Sequence, residues 1–357
     1  MLDPYEISVV TPCHNMDPTL LEKAFYSLRE QSLGFDKIEW IIVVHNSPDS
    51  DRDIVIEMVG HYSNVSVYHL NDGISTPASP RNYALDRAKG TYIGFLDADD
   101  TYALDVCEKS VKCLVEHNAQ MVAFRIETES STGKEISFER NILLNQVIPC
   151  HVIKTENWDS GLFTHGSGLG ITSKVYDRRS INAFGLRFDI DVPFASDTLF
   201  NLEFFSKMET FCYLTQLIGY HYYMIGGSIV QRFNKGKEGI IRNAEGVKKI
   251  LDYGLSTGLS VNTLMWELLS YTATLMMCSS EFSYSERKAI SDMLVPFFSV
   301  MTPIKKTKLR DHKAVKDTMK VASMVLKHPK LFYLILKMAS LFRFDIGDTV
   351  RRRLQEG

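Results

Sequence analysis

No two of the six cysteines (Cys13, Cys107, Cys113, Cys150, Cys212 and Cys278) form a CxxC pair; they lie scattered along 357 residues. That spacing argues against a zinc site and against a dense disulfide framework. Unbridged thiols in a reducing cytosol are the expectation. No stretch reaches the roughly 18 apolar residues needed to span a bilayer. The longest candidate, Leu331 to Leu336, runs into Lys337. The opening Met-Leu-Asp-Pro-Tyr-Glu lacks the basic start of a cleavable signal. Internal repeats and low-complexity stretches are also lacking. These absences predict a cytoplasmic protein, at most peripheral on the inner membrane face.

The chain does have apolar content: 45% of residues are hydrophobic and 11% aromatic, enough for a sizeable core and against wholesale disorder. Its length suits one large or two moderate domains. The net charge of -3 hides an asymmetry. Residues 303–357 carry a net +9, and the preceding 302 residues a net -12. A basic tail on an acidic body points to an anionic partner for the tail.

Along the chain, strands and helices alternate. Glu6 to Pro12, Glu39 to Val44, Val65 to Leu70 and Tyr92 to Leu96 read as short apolar strands. Pro18 to Gln31, capped by Asp17 or Thr19, Asp51 to Tyr62 and Pro80 to Ala88 read as helices, the last opening on its proline. The pattern predicts an α/β fold with a parallel sheet covered on both faces. Beyond it come a helix from Tyr102 to His117, a strand at Met121 to Ile126 and an exposed hairpin at Ser130 to Lys134. Helices follow at Tyr176 to Asn182 and Thr198 to Met208, then a β-prone stretch from Phe211 to Tyr223. After Gly226-Gly227 the composition turns helical, at Ala244 to Gly254, Asn262 to Cys278 and Ser285 to Val300. The predicted division is 1–232, 233–302 and a basic amphipathic tail over 303–357.

In parallel sheets, ligands bind beyond the carboxyl ends of the strands. The loops Thr11 to Asn15, His45 to Asp51 and Asp97 to Asp100 all fall at that edge, so one site built from three loops is expected. The strongest chemical signal is Phe95-Leu96-Asp97-Ala98-Asp99-Asp100. Three carboxylates at a strand end repel one another unless a cation or hydrogen-bond donors compensate them. Oxygen ligands of this kind suit Mg²⁺ or Mn²⁺. A polar loop capping the next helix explains them equally well.

Three stretches break that tie: Ile7 to Asn15 (ISVVTPCHN), Arg81 to Asp100 (RNYALDRAKGTYIGFLDADD) and Ala195 to Glu203 (ASDTLFNLE). On these the chain resembles glycosyltransferase family 2 over roughly residues 5 to 230. The resemblance implies a GT-A, Rossmann-like nucleotide-sugar domain followed by a helical region. It implies inverting transfer of a hexose or N-acetylhexosamine from a UDP-sugar to a glycan, lipid-linked or glycoprotein hydroxyl, in bacterial polysaccharide, teichoic acid or glycoprotein assembly. Asp97 is then expected at the ribose or the metal, Asp99 on Mn²⁺ or Mg²⁺, and Asp197 as the base that takes the acceptor proton. Asp100 is expected to cap the following helix. Thr11, Pro12, His14, Asn46 and Arg81 are expected to contact the nucleotide.

The chain also departs from the family pattern. Ser196-Asp197 keeps only the second carboxylate of a usual Glu-Asp pair, and Val44-His45-Asn46-Ser47-Pro48 replaces Val-Asp-Asp-Gly-Ser. Asn46 therefore offers an amide where an acid usually accepts from uracil. His221 stands as a metal ligand or a structural histidine, and His165 as a loop residue facing donor or acceptor. In the tail, Lys313, Lys316 and Lys320 share a helix face ahead of an apolar run, a pattern that fits an anionic membrane surface or packing on the body. No nucleic-acid partner is expected. Two rival readings are a member that binds nucleotide sugars without turnover and a sugar nucleotidyltransferase. The lack of glycine in Thr11 to Pro18 disfavours the latter.

Overall fold

The structure is a computed structural model; it describes residues 4–130, 151–154, 170–192, 196–224, 237–257, 282–286, 288–290 and 292–293. The chain separates into two compact units, Met1–Gly226 and Gly227–Gly357. The predicted hairpin at Ser130 to Lys134, His165, the helix at Asn262 to Cys278 and the 303–357 tail lie outside the described residues or nearly so.

In the first unit, β1 (Tyr5–Cys13), β2 (Ile38–His45), β3 (Val65–Leu70) and β4 (Gly90–Phe95) form a parallel half-sheet, with β1 in the middle. The β-branched runs explain it. All eight residues of β2 are buried, and Ile7, Val9 and Val10 of β1 are fully enclosed. Only a strand covered on both faces tolerates such a run. The crossovers are α1 (Pro18–Arg29), α2 (Asp49–Val59) and α3 (Ala78–Leu85). Asp17 caps α1, accepting from the Thr19 N–H at 2.9 Å, with Pro18 at the first turn. Helix α3 begins two residues before Pro80, which sits within its first turn.

The second half of the sheet is mixed. β5 (Thr101–Tyr102), α4 (Val106–His117), β6 (Met121–Ser130), β7 (His151–Lys154), β8 (Lys174–Asp177), α5 (Arg178–Ala183), α6 (Ser196–Lys207) and β9 (Thr210–Met224) follow in order. The sheet runs β3-β2-β1-β4-β8-β6-β9-β5, with β7 also on β9. β8 is antiparallel to both β4 and β6, whereas β6 and β9 are parallel. Two predicted elements move. The segment read as a helix from Tyr176 is a strand until Asp177, whose carboxylate then caps α5 through the Ser180 N–H. Tyr102, read as helical, belongs to β5 and pairs with Tyr220. The second unit contributes α7 (Lys237–Thr257).

Two close contacts set the position of β4. A Cβ on Gly90 would lie 2.4 Å from the Ser8 backbone nitrogen, so only glycine lets β4 start against β1. The Ser8 hydroxyl accepts from Gly90 N–H and donates to buried Glu39, which also accepts from Lys89 N–H at 2.7 Å. Under the sheet, Trp40 stacks on Phe25 at 5.9 Å and donates its indole N–H to Thr11. Cys13, Cys107, Cys113 and Cys212 are buried and form no disulfide. No helix among the described residues is long and apolar enough to cross a membrane.

Candidate active site

Because β1 to β4 point the same way, their carboxyl ends share one edge, and the loops leaving them are laced together. His14 Nδ1 lies 2.9 Å from the His45 carbonyl, and the Asn15 N–H donates to Ser47 Oγ. The Asn46 amide donates to the Ile74 carbonyl at 3.0 Å and accepts from Gly73 N–H at 3.2 Å. Asn15 and Asn46 both have positive φ, at 44° and 47°. Asparagine is among the few side chains that adopt this backbone readily. The loop after β3 supplies Asp72, which accepts from Ser79 Oγ and the Ile74 N–H and lies 2.9 Å from His45 Nε2. Burial opposes its charge, but the bonds from Ser79, His45 and Ile74 hold its carboxyl down at about 2.

The acidic turn leaves β4 directly. The Leu96 N–H still bonds Val10, and the next four residues turn away from the ladder. Asp97 is part-exposed. Asp99 is likewise half-buried, and burial, then the charge of Asp97, push its carboxyl up to about 6. Asp100 is fully buried; its oxygens accept from Tyr220 Oη at 2.6 Å and from the Tyr223 N–H at 2.9 Å. Burial, then Asp97, raise it to about 8 in spite of those bonds. The expectation that Asp100 caps the next helix is therefore corrected. Residues 101–102 form a strand, α4 starts at Val106 after Asp105, and Asp100 instead ties the turn to β9.

Arg81, in the first turn of α3, joins the turn to the start of α6. Its Nη1 donates to Asp197 at 2.8 Å and its Nη2 to Asp97 at 3.1 Å. The guanidinium is almost wholly buried, whereas both carboxylates keep about a third of their surface, 34% and 30%. Phe188 lies under it, 5.6 Å from ring centre to the guanidinium carbon. The neighbouring Asn82 holds that phenylalanine in place, donating to the Phe188 carbonyl and accepting from its N–H, each at 2.8 Å. The Arg-Asn pair at the helix start thus has two jobs, one on each side of residue 188. Burial raises the proton affinity of Asp197; Arg81 pulls it down and Asp97 pushes it up.

The structure brings Asp97, Asp197 and Arg81 into one constellation, with Asp99 on the same turn. Thr11 sits differently from its expected place at a base pocket: it is fully buried and accepts from Trp40, so its side chain serves the core. Pro12 is half-buried in β1, opposite Val43. Asn46 spends its amide on the loop after β3. His221, in β9 opposite Thr101, has Nδ1 3.2 Å from Glu127 Oε2, a close approach that makes no hydrogen bond. Among the described residues it joins no group of three His, Cys, Asp or Glu side chains close enough to share an ion.

Other residues at the site carried no signal in the sequence. Tyr220 donates to Asp100 and accepts from the Asp97 N–H at 3.2 Å, so one phenol fixes both ends of the turn. Lys174 is fully buried, donating to the Gly170 carbonyl at 2.6 Å; burial lowers it to about 7 while the charge of Asp197 acts the other way. Asp72 lies in Asn71-Asp72-Gly73, which reads as an ordinary turn.

The acidic turn fits a hard divalent cation. Arg81 compensates Asp97 only in part, because it is shared with Asp197, and no cationic side chain among the described residues pairs with Asp99. Mg²⁺ and Mn²⁺ are commonly held by one or two carboxylates, with phosphate oxygens and water completing the shell.

The family model for glycosyl transferase family 2 matches residues 8–179. That span ends before Asp197. The minor teichoic acid biosynthesis protein GgaB of Bacillus subtilis (strain 168) is 32% identical over 163 residues, 45% of this chain and 17% of that protein. The uncharacterized glycosyltransferase EpsJ of the same strain is 27% identical over 207 residues, 57% of each chain. The chain thus spans under two thirds of either relative. The crystal structure of S. aureus TarS 1-349 in complex with UDP-GlcNAc superposes with a TM-score of 0.67 at 16% identity, covering 94% of this chain and 90% of that one. At that identity the likeness speaks for the fold alone.

Proposed function

The chain belongs to glycosyltransferase family 2 and has the GT-A fold, and from that premise we propose that it is an inverting glycosyltransferase. In this reading it moves a hexose or N-acetylhexosamine from a UDP-sugar to a hydroxyl of a glycan, lipid-linked or glycoprotein acceptor. One observation carries the reading: a single buried guanidinium holds Asp97 of the acidic turn and Asp197 together. A leaving-group site and a base must lie within one sugar of each other, and Arg81 sets that spacing.

The acceptor oxygen attacks the anomeric carbon from the face opposite the nucleotide. The bond from that carbon to the diphosphate oxygen breaks, and the diphosphate leaves with the electron pair. Asp197 takes the acceptor proton. Its burial favours accepting a proton, and Arg81 keeps it ionised until then. Asp99 and Asp97 would hold Mn²⁺ or Mg²⁺, which when bound stabilises the charge on the departing diphosphate. Pro12, His14 and Asn46 border the edge where the base and ribose would lie. A polymer of the teichoic type is the first acceptor to test, because GgaB is named for teichoic acid biosynthesis. UDP-GlcNAc is the first donor, because TarS 1-349 is held with it. The basic tail over 303–357 would bring the enzyme to an anionic membrane surface carrying such acceptors.

The test is UDP release from UDP-GlcNAc and UDP-glucose with Mn²⁺ and teichoic acceptors. The Asp197→Asn variant is expected to lose about 10²–10⁴-fold in kcat while still binding UDP. UDP binding with no turnover by the native chain, whatever the acceptor, would overturn the proposal in favour of a non-catalytic binding protein.

A further inference from the structure

Away from the acidic turn, three soft or borderline ligands converge. Cys113 and His117 are one turn apart on α4, four residues in sequence, and so share a face. Cys212 is the third residue of β9, and its thiol lies against the Cys113 carbonyl at 3.8 Å. The two sulfurs and an imidazole nitrogen of His117 all lie within 4.8 Å of one another. Among the described residues no other three His, Cys, Asp or Glu side chains meet in this way.

We infer that Cys113, His117 and Cys212 form a binding site for a thiophilic divalent ion of the Zn²⁺ class, separate from the acidic turn. The donor set argues for that class. Two thiolates and an imidazole select zinc-like ions, whereas Mg²⁺ and Mn²⁺ prefer oxygen. A tetrahedral Zn²⁺ with Zn–S near 2.3 Å and Zn–N near 2.0–2.1 Å places its ligand atoms roughly 3.4–3.8 Å apart. A spread of at most 4.8 Å is therefore closed by small rotations of the side chains rather than by moving backbone. The two cysteines are buried and His117 is exposed, so the cluster lies at the boundary between core and solvent.

The other described cysteines are different. Cys13 and Cys107 are buried thiols with no such pair of ligands beside them among the described residues. The site is also set apart from the sugar-transfer edge. β9 reaches the acidic turn at Tyr220, whose β6 partner Ile126 lies four residues beyond Val122, the partner of Cys212, roughly 13 Å along the sheet. An ion here would clip α4 to β9 and so brace the strand that carries Tyr220. The absence of CxxC in the sequence hid the site, because a helix pair and a distant strand supply its ligands.

The experiment uses the full chain, reduced, stripped with chelator and titrated with Co²⁺ as a spectroscopic stand-in for Zn²⁺. The expected result is a thiolate-to-cobalt charge-transfer band with tetrahedral visible bands, saturating at one equivalent and bleached by Zn²⁺. Asp99→Asn should leave the bands intact, which separates this site from the acidic turn. Cys212→Ser should abolish the charge-transfer intensity of one thiolate. Exposed His117→Ala, the variant least able to disturb folding, should weaken Co²⁺ binding at least about tenfold. The inference is overturned if the reduced chain gives no thiolate band, or if His117→Ala titrates like the native protein.

Discussion

Arg81 and Asp197, 116 residues apart in sequence, meet at 2.8 Å, and the same guanidinium reaches Asp97 at 3.1 Å. Neither carboxylate has the cation to itself. Removing Arg81 leaves two like charges facing each other in a half-buried site.

Arg81→Ala is expected to destabilise the first unit by about 3 kcal/mol, the lower end for a broken buried pair, because both carboxylates keep some solvent. It should also raise the proton affinity of Asp197, so the acid limb of the kcat/KM profile moves to higher pH. Arg81→Lys should recover little, since one ammonium cannot serve both carboxylates in the guanidinium's fixed fork. Urea unfolding and a pH–rate series check both effects. An unmoved acid limb would show that Arg81 does not tune the base.

Metal binding at the acidic turn should be proton-linked through Asp99. Its carboxyl is raised to about 6, first by burial and then by Asp97, so it competes for protons near neutrality. Mn²⁺ affinity is expected to fall as pH drops through about 6 and to level off above it. Asp99→Asn should weaken binding and flatten that slope. Calorimetric titration with Mn²⁺ at a series of pH values measures it, and an unchanged slope in the variant would rule Asp99 out as the linked group.

Asp100 governs a different pH dependence. Burial, then the charge of Asp97, hold its folded carboxyl at about 8, well above its unfolded value. The folded chain therefore keeps a proton that the unfolded chain has already released. Stability from this group is present at low pH and is lost as pH rises from about 4 through about 8. Asp100→Asn, which cannot ionise, should flatten the fall in Tm over that window in metal-free buffer. Parallel Tm curves for the two proteins would remove Asp100 from the account.

Gly90→Ala tests the join between β4 and β1. The added methyl would sit 2.4 Å from the Ser8 nitrogen and 2.6 Å from the Ile7 carbonyl carbon, both backbone. A loss of about 1–3 kcal/mol is expected for overpacking, with UDP release falling because the acidic turn hangs from the end of β4. Native-like stability would mean that the strands can separate without cost.

The parallel half of the sheet is legible because Ile7 to Val10, the β2 run and Ile93 to Leu96 are apolar on both faces, a pattern few other structures accept. The acidic turn and Asp197 are legible as carboxylates at element boundaries. The antiparallel half is not. Lys174 to Asp177 is four residues long, too short to show a period, and its β-character comes from β4 and β6 on either side. Asp100 looked like a helix cap because aspartate at a strand end usually is one. What decides its role is Tyr220, 120 residues away. Thr11 likewise sits in a loop-adjacent motif, but Trp40 claims its hydroxyl. Long-range partners set each of these roles, and local spacing carries no trace of them.

β5 has only two residues, and they pair with Tyr220 and His221. During synthesis, that pairing cannot close until β9 has left the ribosome, more than a hundred residues after the acidic turn. A nascent chain stalled before that point could fold β1 to β4, whose contacts are comparatively local, yet would have no phenol to anchor Asp97 or Asp100. Long loop closure slows folding, so the acquisition of chemistry should lag behind the acquisition of the half-sheet.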